Sequence, residues 1–114
     1  MEQTVEQKSF HFAVRIVRLY RYLTENQKEY ILSKQLMPSG TSIGANVAEA
    51  EQAQSRADFI TKLSIALKET SETNYWLRLL NATGCIHDAE FQSIFQDCLE
   101  LGKMLTAIIK TSKQ

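Results

Sequence analysis

The sequence predicts an all-α protein, an antiparallel up-down-up-down four-helix bundle in one domain spanning residues 1–114. Three observations predict it. Four segments carry apolar residues at the spacing of one helical face. The connections between them are short and polar, as adjacent antiparallel helices require. The chain also has one Pro and four Gly in 114 residues, too few for the many tight turns of a β fold. No internal repeat suggests a solenoid, and no heptad seam is sustained long enough for one extended coiled coil. The ends, about residues 1–4 and 111–114, are expected to be disordered.

The first helix is expected near residues 5–24. Phe10, Ala13, Val14, Val17 and Tyr20 form a helical stripe, and Phe12, Ile16, Leu19 and Leu23 widen it. Ser9 is a candidate cap. The second helix is expected near 28–53. Tyr30, Ile31, Leu32, Leu36 and Met37 are available for a core, and Pro38 should kink the helix or divide it. Beyond Pro38 the run TSIGANVAEAEQA is built of small residues, which let a neighbouring helix approach closely. Ile43, Val47 and Ala50 keep helical spacing there, and a flexible loop is the alternative.

The third helix is expected near 55–81. Ser55 stands as N-cap, with Asp58 three residues on in the capping-box position. Phe59, Ile60, Leu63, Ala66, Leu67, Thr70, Thr73, Tyr75, Trp76, Leu77 and Leu80 give its long stripe, and Gly84 is free to take the left-handed conformation that ends it. The fourth helix is expected near 88–110, with Asp88 as N-cap and Phe91, Ile94, Phe95, Cys98, Leu101, Met104, Leu105, Ile108 and Ile109 inward. Gly102 inside it costs about 1 kcal/mol relative to Ala, which points to a close contact.

Composition narrows the functional classes. No apolar stretch reaches the roughly 20 residues of a membrane span, and MEQTVEQKSF does not read as a secretory signal. Cys85 and Cys98 read as reduced thiols, so a cytoplasmic location is expected. Thirteen basic residues balance thirteen acidic ones, whereas a dedicated nucleic-acid-binding domain carries a basic excess.

The sequence also lacks the patterns that catalysis and cofactors need. His11 and His87 have no partners at metal-ligand spacing. SGTSIGAN lacks the Lys of a phosphate loop, and the Glu-x-x-His pairs of di-iron bundles are absent. No catalytic, cofactor or metal residue is expected. The exception to this plainness is a polar face: Ser39, Ser42, Asn46 and Glu49 fall on one side of a helix. A hydrogen-bond network that fixes helix register is the simpler account, and a ligand site is the alternative. Asn46 and Glu49 are therefore expected to be buried, with partners on the third helix. Arg15, Arg18 and Arg21, joined by Arg56 and Lys62, are the candidate nucleic-acid contacts. A solvated face paired with local acids is the simpler account of them.

The run from Gln35 to Leu80 resembles a known family. Ser42, Ile43, Asn46, Val47, Ala48 and Glu49, followed by Phe59, Leu63, Ala66, Glu72 and Leu77, are similar to proteins encoded within intervening sequences of bacterial 23S ribosomal RNA genes. These are also called S23 ribosomal proteins, and accessory proteins of diversity-generating retroelements look related. The resemblance implies a four-helix bundle, a ring-like homopentamer and no enzymatic activity. It implies RNA or DNA binding only for strongly basic relatives. Here Pro38 replaces the Arg that many relatives carry, and the net charge is zero.

The apolar stripes are wider than one bundle interior needs. Phe12, Ile16 and Leu19 on the first helix, with Tyr75 and Trp76 on the third, are the candidate oligomer interface. The expected function is a non-enzymatic, oligomeric structural or interaction protein. A nucleic-acid-binding accessory protein is the alternative.

Overall fold

The computed structural model describes residues 3–114. Its elements are α1 (Val5–Glu25), α2 (Leu32–Ala50), α3 (Arg56–Ala82) and α4 (Asp88–Ser112). The molecule measures 45 × 24 × 23 Å, a length set by α3. At about 1.5 Å per residue its 27 residues span roughly 40 Å.

Side-chain pairs along the seams fix the helix directions. Ile16 lies against Gly40, and Ser9 against Gly44. Thr70 meets Cys98, and Asn81 meets Asp88. Lys8 reaches Glu100, and Arg15 reaches Glu90. In each pair a rising number on one helix meets a falling number on the other, so these neighbours run antiparallel. The helices pack in a ring, with α2 against α3 the most intimate pair and α1 against α4 the least.

The α1 core is the stripe expected to be surplus. Phe12, Ile16, Leu19 and Leu23 are buried, while Phe10 is 66% exposed and Ala13, Val14, Val17 and Tyr20 are only half-buried. The cause is the approach of α2. A Cβ on Gly40 would stand 2.7–2.9 Å from Ile16 side-chain atoms, and one on Gly44 would stand 3.2 Å from the Ser9 carbonyl. Those glycines bring α1 down on its Ser9–Ile16 line and roll Phe10 outward. Phe12, Ile16 and Leu19 are thereby withdrawn as interface residues. Ser9 is buried inside the helix and does not cap it. Thr4 caps instead, in a full capping box with Gln7.

α2 begins later than expected. Lys28 adopts φ of +55°, turning the chain, and the Glu29 carboxylate then accepts from the N–H groups of Ile31, Leu32 and Ser33. Tyr30 and Ile31 are left outside the core, 54% and 78% exposed. α2 runs unbroken through Pro38, so the expected division does not occur. Pro38 is exposed, and buried Leu36 and Ile43 on either side tie the helix to the core.

Ser55 caps α3 by accepting from Asp58 N–H, and Gly84 takes φ of +82°, both as expected. The N-cap of α4 is His87, one residue before the expected Asp88. Asp88 accepts from Asn81 Nδ2, which also donates to the Ile86 carbonyl. Pinning the α3–α4 turn in this way starts α4 at Asp88. Thr111 and Ser112 are helical, against the expected disorder there. Gln3 and Thr4 are ordered by bonds to His11 and Gln7, and residues 1–2 of the same expectation lie outside the described residues.

Candidate interaction surfaces

The polar face of α2 is quieter than its spacing suggests. Ser39 is buried, Ser42 and Asn46 half-buried, and Glu49 exposed. Ser39 Oγ donates to the Leu36 carbonyl, Ser42 Oγ to that of Ser39, and Asn46 Nδ2 to that of Ser42. All three bonds return to α2 itself. Only Glu49 reaches α3, through Lys62 Nζ at 3.3 Å. The expected burial of Glu49 and the expected α3 partner of Asn46 are thus corrected. Short polar side chains find the carbonyl one turn back before they find another helix.

The candidate cations do not form one patch. Arg15 donates to Asp97 Oδ2 at 2.8 Å and Ser93 Oγ at 3.0 Å, with Glu90 at 3.6 Å. Lys62 faces Glu49. Arg56 lies at the opposite end of the bundle from Arg18, beside the Gln114 carbonyl at 3.4 Å. Arg18 and Arg21 are exposed and form no ion pair among the described residues. Arg18 borders a groove of about 470 Å³ with Leu19, Tyr22, Ile86 and His87.

The α1–α4 seam is electrostatic. Lys8 Nζ reaches Glu100 at 2.6 Å and Asp97 at 3.6 Å, and Arg15 continues the line. No glycine draws these two helices together, and long charged side chains bridge them instead.

Of the candidate interface on α3, Tyr75 is 50% exposed, with the Arg78 guanidinium 5.9 Å from its ring centroid. Trp76 is half-buried, its ring edge-on to Tyr75 at 5.0 Å, and its indole N–H is buried without an acceptor among the described residues.

The comparisons with known proteins follow the same outline. The family model for the 23S rRNA-intervening sequence protein matches residues 1–107. The chain belongs to that family. A crystal structure of a protein with unknown function from the S23 ribosomal protein family of Bacteroides thetaiotaomicron VPI-5482 is 59% identical to it. The match covers 94% of this chain and 99% of that one, with a TM-score of 0.93. No curated protein matches.

In this member of the intervening-sequence family, the described residues contain no group of three or more His, Cys, Asp or Glu placed to hold a metal. No described helix is long and apolar enough to cross a membrane. Cys98 is buried and free. Burial first, then neighbouring Asp97, pushes its thiol up to about 12, so it stays protonated and unreactive.

Two features escaped the sequence reading. One is the outward stripe of Phe10, Ala13, Val14 and Val17, continued on α2 by exposed Ala45 and Ala48. Its signal was the Gly40–Gly44 spacing, which fixes the side of α1 that meets α2. The other is an α3–α4 groove of about 710 Å³, bordered by Arg78, Lys103 and Lys110. Gly102 was its signal.

Proposed function

We propose that this protein is a non-catalytic, homo-oligomeric interaction module. The observation that carries the proposal is the apolar stripe left outside the core. Phe10, at 66% exposure, stands in a shallow depression with Ala13, Ala45 and Ala48. Burying a side chain of that size stabilises by about 1.5–3 kcal/mol, which only an intermolecular contact can supply here. Contiguous apolar surface of this kind marks association. The count of five subunits comes from the family resemblance alone. A cytoplasmic location belongs to the same proposal, because two free thiols suit a reducing compartment.

Light scattering on the purified protein tests the reading. A mass several times 13.0 kDa is expected. A single 13.0 kDa species at micromolar concentration ends the proposal, while a dimer keeps the interface and discards the ring.

The RNA or DNA reading has one observation in its favour, the exposed Arg18 and Arg21, which form no ion pair among the described residues. With Arg15 and Lys62 neutralised by acids, it predicts weak binding that falls steeply with salt. A labelled-RNA titration at low salt that detects no complex removes it.

A further inference from the structure

We infer that the groove between α1 and the start of α4 binds a small amphipathic monoanion, an aryl carboxylate of one or two rings. The site is intramolecular and does not depend on the oligomeric reading above.

The groove exists because this joint is held apart. Long charged side chains span α1 and α4, the least intimate pair of helices. At the end where α4 begins they leave a notch of about 470 Å³, within the size range of small-ligand sites. Its floor is apolar. Leu19 and Ile86 are core residues that also line the notch, and half-buried Tyr22 lies beside them. The Tyr22 hydroxyl accepts from Gln27 Nε2 at 2.7 Å. That bond holds the phenol in place and leaves its own proton to donate.

The charges around the floor select the head group. Arg15 is already committed. Its guanidinium donates to Asp97 Oδ2 and Ser93 Oγ and stands 3.6 Å from Glu90, so these two opposite charges of the rim largely cancel. Arg18, nearly one turn along α1, is exposed and forms no ion pair among the described residues. His87 borders the notch from the α3–α4 turn, and its side chain makes no cap bond to α4. An apolar floor is thus edged by one guanidinium and one imidazole that the bundle does not use. A carboxylate matches them, because it can take both N–H groups of one guanidinium edge. A phosphate monoester suits the site less. Its second charge would meet no further uncommitted Arg or Lys on this rim, and Glu90 would repel it.

The length of the floor sets the body of the ligand. From Arg15 to Tyr22 is about two turns of α1, roughly 10 Å. One or two fused rings fit that span and can lie against the Tyr22 ring, whereas a long acyl chain would overrun it.

Ligand-observed NMR titration of the intact protein tests the assignment. The probe is indole-3-acetate, and indole-3-ethanol is the same body without the charge. Saturable binding of the acid is expected with a Kd of about 1 mM or tighter, and binding of the alcohol about tenfold weaker. Arg18→Gln should weaken the acid about tenfold and leave the alcohol unchanged. Arg21→Gln removes another exposed cation, one that does not border the notch, and should change neither. Both substitutions fall on the surface, and retained helical circular dichroism checks the fold. The inference is overturned if the acid shows no saturable binding or if acid and alcohol bind equally. It is also overturned if Arg18→Gln binds the acid like the parent, or if Arg21→Gln weakens it as much as Arg18→Gln does, the mark of diffuse surface charge.

Discussion

Glu29 governs the entry to α2 single-handedly. Partial burial alone would raise its carboxyl, but the N–H donors of Leu32, Ser33 and Ile31 outweigh that and hold it below the ordinary glutamate range. A depressed carboxylate contributes stability that is present above its unfolded value. That stability is lost as pH falls through the lower folded value. Glu29→Gln should therefore cost about 1 kcal/mol at neutral pH, the usual scale of a helix cap. The difference from the parent should close as the solution is acidified below the ordinary glutamate range. Urea unfolding at neutral and acid pH measures both. Asn46 is the contrasting residue. Because its amide bonds only the Ser42 carbonyl of its own helix, Asn46→Ala should cost less than about 1 kcal/mol and strand no partner. A loss of several kcal/mol in thermal melting would contradict that.

Glycines mark the two kinds of helix contact. Gly40 is buried, and a methyl there would clash with Ile16, so Gly40→Ala should destabilise by about 1–3 kcal/mol through overpacking. Gly102 has room, so Gly102→Ala should stabilise by about 1 kcal/mol through helix propensity. Denaturant unfolding of the two variants, read side by side, should move in opposite directions. The same positions explain what the sequence made legible. Apolar spacing located all four helices, Ser55 and Gly84 bounded α3 through local chemistry, and the run of small residues after Pro38 announced a close neighbour. Spacing could not say which of two adjacent α1 stripes faces inward, because both have helical period. The α2 glycines made that choice through three-dimensional approach. Nor could it foresee that Glu29, rather than a Ser or Asp, caps α2, since the positive φ of Lys28 brings that carboxylate back over the helix start. Of the candidate site, Tyr75 stays exposed while Phe12, Ile16 and Leu19 serve the core.

At the scale of the whole molecule, three joints follow the chain and one does not. α1–α2, α2–α3 and α3–α4 are hairpins of sequence neighbours. α1–α4 brings together residues as far apart as Arg15 and Asp97, 82 positions, and does so with ion pairs. Closing so long a loop costs entropy that weak, partly solvated charges repay poorly. The bundle should therefore assemble as a chain of three hairpins and latch last along this joint, which should also be the first to part. Arg15→Met then acts on departure and not on arrival. In stopped-flow experiments it should quicken unfolding severalfold and leave refolding unchanged, measured in the Phe10→Arg background so that assembly does not intrude. The ion-paired seam is in this sense a clasp: it sets how long the folded protein stays shut, and the hairpins set how fast it forms.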